Sequence, residues 1–166
     1  MEALEKVKKE LEEALEKAKK ELEEDKKNYW AISYLGEVLC SSKNKDPNYD
    51  FKKKTGNYFK TEKEAKEYLE DLKVKAEIKK IAKELNGDKK IDWDDDTQPK
   101  HCLIYNYDDS EVGGNQQYTL KIEDTIYCLD EHFADVCIER IGEERLKNYL
   151  KKKIKIRGLK NGRRWK

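Results

Sequence analysis

Four aspartates crowd around one indole in the segment IDWDDD: Asp92, Asp94, Asp95 and Asp96 about Trp93. Carboxylates at that density could hold a divalent cation, and a metal-dependent nuclease would set such a site beside a lysine. No glycine stands where an EF-hand loop turns, and no Glu-x-Lys pair on a strand accompanies the cluster. The segment therefore reads as a solvated loop anchored by Trp93. Cys102, Cys128, His132 and Cys137 are residue types that zinc accepts in fours. Their C-x3-H-x4-C run straddles a strand end and a helix start and matches no zinc spacing. Cys102 adjoins His101, but neighbours on a strand face opposite ways, which parts thiol from imidazole. His132, in the first turn of a helix, reads as a surface residue. The sequence holds no glycine-rich phosphate loop and no serine elbow. These absences predict a protein that is not an enzyme and that takes no metal or cofactor.

Charge offers a different chemistry. The net charge is +1, yet from Lys147 onward there are ten Lys or Arg and no acid. The preceding residues hold 27 basic against 36 acidic groups, a net −9. An acidic body with a basic end points to an anionic partner for that end. In the tail, Lys151, Lys152, Lys153, Lys155, Arg157, Arg163 and Arg164 are interleaved with Trp165, a mixture that neutralises phosphates and stacks a base. A disordered solubilising end has the same composition. Tyr105, Tyr107 and Tyr118, read as exposed on strands, could form a stacking platform like that of an RNA-binding sheet. They could equally be hot spots of a protein interface, where Tyr and Trp are enriched. Composition alone does not choose between these partners.

The elements that position these groups fall in three stretches. Residues 1–27 are nearly pure helix formers, with Leu4, Val7, Leu11, Ala14 and Ala18 at heptad spacing and Leu15 and Leu22 widening the stripe. That pattern predicts an amphipathic helix, either packed on its own domain or self-associating as a coiled coil. Residues 28–150 switch to short strands and helices, an α+β domain. YWAISY and EVLC form a hairpin about Leu35-Gly36, and Asp46-Pro47-Asn48 marks a turn in the polar stretch that follows. Tyr58-Phe59 is a short strand, and Thr61 with Glu64 a capping box. The helix behind it carries Ala65, Tyr68, Leu69, Leu72 and Ala76, then Ile78, Ile81 and Leu85, and Asn86-Gly87 ends it. HCLIYNY and QQYTLKI read as strands around a loop that contains Gly113 and Gly114. Ile126-Tyr127-Cys128 is another strand, capped into a helix by Asp130, with Phe133, Ala134, Cys137, Ile138 and Ile141 inward. Gly142 breaks that helix, a short one follows, and 151–166 is a basic tail.

The chain repeats itself. At an offset of 69, Phe59 falls on Cys128, Thr61 on Asp130, Ala65 on Ala134, Tyr68 on Cys137, Leu69 on Ile138 and Leu72 on Ile141. This predicts two β-β-β-α units that share one antiparallel sheet, with both helices on one face. The cysteines stand singly, with no Cys-x-x-Cys pair and no signal peptide before them, so reduced thiols in the cytoplasm are expected. No apolar run approaches the ~20 residues of a membrane span, so no membrane partner is expected.

The order YWAI, GEV, GNYFKTEKEAKEYLEDLKVKAEIKKIAKELN, IDWDD, IYNY and IERIGEERLKNYL resembles a group of small phage and prophage proteins of Firmicutes. The resemblance covers residues 29–150, and Cys128-Leu129 departs from the aromatic and serine usual there. It implies no reaction. It does imply a non-enzymatic accessory protein that binds a host protein or nucleoprotein complex in the bacterial cytoplasm, including anti-defence and anti-CRISPR inhibitors. Direct nucleic-acid binding through the tail and the sheet tyrosines is the alternative.

Overall fold

The computed structural model describes residues 2–25 and 28–161, with side chains described over 5–20, 23 and 28–152. It is an α+β protein with small antiparallel sheets and divides into two compact units, residues 1–70 and 71–166. No helix among the described residues is long and apolar enough to cross a membrane.

The first unit begins with helix α1 (Glu2–Asp25), whose described side chains are all exposed. Strands β1 (Asn28–Ile32) and β2 (Val38–Ser42) pair antiparallel, from Asn28 opposite Ser42 to Ile32 opposite Val38. Gly36 turns the hairpin at φ +76°, as the spacing predicts, and the Ser33 hydroxyl accepts the amides of Leu35 and Glu37. The polar stretch after it contains a short helix that sequence reading does not show, α2 (Tyr49–Lys54). Asp46 starts it by accepting the Asn48 amide at 2.8 Å.

A third segment closes one edge of β1. Phe59 exchanges both backbone hydrogen bonds with Trp30, each 2.9 Å. Two residues along the same edge, the Asn57 side chain takes over: its oxygen accepts the Ile32 amide and its NH2 donates to the Ile32 carbonyl, each 2.7 Å. The outer edge of β1 is thus sealed by one residue's backbone and another's side chain. The single shared sheet expected from the repeat is not what forms. The strands make two sheets, one of β1 and β2 and one of three strands in the second unit.

Helix α3 (Glu62–Asn86) starts at the expected capping box, with the Glu64 amide donating to Thr61 Oγ1 at 3.2 Å and Glu64 Oε2 accepting the Lys60 and Thr61 amides. The boundary between the units falls within it, and beyond that boundary Val74, Ile78, Ile81 and Ala82 are buried. Tyr68, Leu72 and Ala76, placed on one apolar face by the sequence, are exposed, and the buried positions run through Ala65, Val74, Ile78, Ile81 and Ala82.

In the second unit β3 (Lys100–Asn106) lies between β4 (Glu111–Gln117) and β5 (Tyr127–Cys128). Strand β4 corrects the sequence reading, which placed a strand over 116–122 and a loop at Gly113-Gly114. Gly114 pairs with Leu103 inside the ladder, and a Cβ on it would sit 3.1 Å from the Ala134 Cβ. The glycine is there because helix α4 (Phe133–Ile141) comes that close to the strand, a role glycine plays within strands as well as in turns. The turn falls instead at 107–110, where Ser110 takes φ +57°. Gly142, at φ +93°, separates α4 from α5 (Glu143–Asn161). The core of this unit joins Val74, Ile78 and Ile81 of α3, Leu103 and Tyr105 of β3, Phe133 and Cys137 of α4, and Leu146 and Leu150 of α5.

Candidate binding surface

The sheet alternation that buries Leu103 also aims Tyr105 and Tyr107 to the face covered by α4 and α5. The two rings meet edge to face, with centroids 4.8 Å apart. Tyr105 is buried, which corrects its expected exposure: as part of the core it cannot stack a base. Tyr107, at the strand end, is 53% exposed and is the ring a partner could reach. Lys151 comes over the Tyr105 ring at 4.9 Å, a cation–π contact. Lys147, one turn earlier on α5, pairs with Glu143 at 2.9 Å. A hydrogen bond from Ser110 and the ammonium groups of Lys151 and Lys147 lower the Tyr105 phenol from its ordinary value, so the charge around it is positive. Glu143 is in turn held below the usual carboxylate range by Lys147.

Of the predicted site residues, the structure brings together Tyr105, Tyr107 and Lys151. It does not bring Lys152 there, since Lys152 turns to Asp71 of α3 at 3.1 Å. Tyr118 lies past the end of β4, half exposed, with its hydroxyl accepting from Gln116 Nε2. Lys153, Lys155 and Arg157 are carried on the α5 backbone and their side chains lie outside the described residues, as do Arg163, Arg164 and Trp165 altogether. The backbone through Asn161 is helical, so the basic series to Lys160 is borne on a helix. Lys147 and Ser110 are site members that sequence reading did not single out. The four-residue spacing of Lys147 and Lys151 was the available clue.

The other candidate chemistry is absorbed by the fold. In the aspartate loop, Asp92 accepts the Asp94 amide at 2.9 Å, and Asp95 accepts the Thr97 amide at 2.8 Å and hydroxyl at 2.6 Å. The Thr97 hydroxyl is the main reason the Asp95 carboxyl is held low. Lys100, fully buried, donates to the carbonyls of Asp95, Gln98 and Tyr118 at 2.8–2.9 Å and lies 5.4 Å from the Trp93 ring, which rests edge-on against Tyr127. This lysine, missed in the sequence, organises the loop that the aspartates decorate. Cys102, Cys128 and Cys137 are buried, and burial pushes the Cys137 thiol up to about 12, far from a nucleophile. The His132 side chain is 70% exposed beside Glu131 and Asp135. No group of three or more His, Cys, Asp or Glu side chains among the described residues is placed to hold a metal.

A second cluster lies in the first unit. Tyr29, fully buried, donates to Asp46, which also accepts from Lys52 Nζ at 2.7 Å and from Ser41 at 3.3 Å. Lys52 and Tyr29 hold the Asp46 carboxyl well below its ordinary range, and burial raises the Tyr29 phenol. Tyr49 and Tyr58 pack on Tyr29 at 5.4 and 5.2 Å. Tyr29, Ser41 and Lys52 all direct hydrogen bonds to Asp46, so this is a structural network. Comparison with protein-family models, with curated proteins and with solved structures gives no match.

Proposed function

We propose that this chain is a non-catalytic, phage-borne accessory protein that docks on a host protein or nucleoprotein complex and modulates it. One observation carries the reading: at the Tyr105–Tyr107–Lys147–Lys151 corner the half-exposed Tyr107 ring stands against Tyr105, over which Lys151 reaches, with Lys147, paired to Glu143, one turn earlier on α5. An exposed tyrosine backed by a second ring and flanked by cations is suited to an acidic, partly apolar partner surface. The sequence resemblance to phage accessory proteins supports the same direction. So do the large apolar side chains left in solvent at Tyr34 and Phe51 of the first unit.

The test is capture from host bacterial extract, before and after nuclease digestion, with wild type and with a Tyr107→Ala, Lys147→Glu, Lys151→Glu variant. One partner that survives nuclease treatment and is lost with the variant is the expected result. Equal capture by both proteins would refute it. Capture abolished by nuclease would favour the second reading, direct nucleic-acid binding. That reading is supported by the helical backbone that carries Lys147 through Lys160 as a continuous basic element, and it requires affinity to fall steeply with salt.

We further propose that the two sheets are copies of one β-β-β-α motif. In each, the first strand is central, the second pairs on one edge, and a short third segment pairs on the other just before a helix: Phe59 against Trp30, and Cys128 against His101.

A further inference from the structure

The acidic body of the chain contains a basic island. Residues 61–146 hold 13 basic against 23 acidic groups, whereas residues 43–60 hold six lysines against two aspartates. Within that stretch Lys52 and Asp46 cancel, because they form the ion pair that also receives the Tyr29 hydroxyl. Lys43, Lys45, Lys53, Lys54 and Lys60 remain, with Asp50 the one acid among them. The fold sets part of this charge on rings. Tyr29, Tyr49 and Tyr58 pack together with centroids 5.2–5.8 Å apart. The Lys43 ammonium lies 6.0 Å from the Tyr58 centroid and that of Lys53 5.9 Å from the Tyr49 centroid, so both cations stand on one aromatic cluster. Helix α2 extends the charge into solvent: Lys53 and Lys54 are exposed, and Phe51 is 68% exposed. Phe51 and Lys54 are three positions apart and so share a face of the helix.

Cations along a surface neutralise phosphates, and an open ring stacks a base whatever its identity. We infer that the α2 surface, Phe51 with Lys53 and Lys54 and with Lys43 on the tyrosine cluster, is a binding site for single-stranded nucleic acid. A duplex stacks its bases on one another and offers no base face to Phe51, so a single strand is the form that uses both the ring and the charge. The site is distinct from the Tyr107 corner and from the basic helix α5. It uses residues of the first unit only, so it stands or falls separately from the proposed function.

Fluorescence anisotropy of a labelled oligothymidylate titrated with the full chain tests it. Wild type should bind at low salt and weaken steeply as salt rises. Phe51→Ala should weaken binding roughly fivefold or more and leave the salt dependence as it was. Lys53→Gln with Lys54→Gln should make the plot of log affinity against log salt shallower by about 0.7 for each lysine. Lys89→Gln with Lys90→Gln, which removes the same charge from exposed positions of the second unit, should do neither. All of these side chains face solvent, so thermal unfolding should not move. Wild type that does not bind at low salt overturns the inference, as does either α2 variant that behaves as wild type. Binding that is abolished by neutralising the lysines of α5 and is indifferent to the α2 substitutions also overturns it, in favour of α5. Tighter binding of a duplex than of the oligothymidylate overturns the assignment to a single strand.

Discussion

The two sheets share a pairing scheme and differ in what holds them. In the second unit the face under α4 and α5 is dry: Phe133, Leu146, Val74 and Cys137 are nearly or wholly inaccessible, and apolar burial dominates. In the first unit the most buried large side chain is Tyr29, and its hydroxyl ends on the Asp46–Lys52 ion pair. Its third strand is a single residue, extended by the Asn57 side chain. One motif is thus stabilised by a conventional core and the other by a polar network and a side-chain splice. Strand order constrains hydrogen bonding and leaves open how the faces are covered.

The largest effect that separates them should come from the dry core. Phe133→Ala removes a fully buried ring where α4 meets the sheet and is expected to cost about 3–5 kcal/mol in urea unfolding. A loss below about 1 kcal/mol would mean that the core is not what holds this unit.

Next is the buried cation on the opposite side of β3. Lys100→Met preserves volume but leaves the carbonyls of Asp95, Gln98 and Tyr118 without their donor, at a cost of about 1–3 kcal/mol. The near-ultraviolet circular dichroism of Trp93 should change with it. An unchanged Trp93 signal would show that Lys100 does not organise the aspartate loop.

The splice comes third. Asn57→Ala removes both bonds to Ile32 and should destabilise the first unit by about 1 kcal/mol. Amide exchange at Ile32 would rise, with Trp30, which pairs through Phe59, less affected. Equal exchange at both would show that Asn57 does not close this edge of β1.

The smallest effect is electrostatic. Asp46→Asn leaves one oxygen in place of two, so it accepts from Tyr29 or from the Asn48 amide but not both, and it ends the ion pair with Lys52; the pH-dependent part of this loss is the one measured. Because the folded-state carboxyl is held below its unfolded value, its stabilisation is full above the ordinary aspartate pKa of about 3.9 and is lost as the pH falls below it. The stability gap between wild type and Asp46→Asn should therefore be widest near pH 7 and close on acidification. A gap that widens below pH 4 would contradict the assignment.

Much of this fold was legible because its causes are local. The helix of 62–86 follows from Thr61 and Glu64, whose reciprocal bonds need only the first turn, and Gly36 and Gly142 mark chain reversals that left-handed backbone requires. The apolar period of α4 names its buried face without help from the rest of the chain. Tyr107 and Lys151 are picked out as candidates by type and position, and the placement of Lys147 near Tyr105 is not.

What only tertiary structure decided are the properties that depend on a distant neighbour. Gly113-Gly114 reads as a turn in any local window, yet both pair with β3 in the ladder, and at Gly114 the Ala134 Cβ leaves little room for a side chain. Tyr105 reads as a platform ring and is buried because α5 lies against it. Lys100 and Asp46 look like surface charges until three carbonyls in one case, and a tyrosine and a lysine in the other, close around them. That the strands make two sheets and not one is seen only in their pairing, in which Asn57 and Phe59 finish one edge of β1. Capping, periodicity and turn chemistry act over a few residues and are written in the sequence. Burial and edge closure are set by what the chain brings back from far along its length.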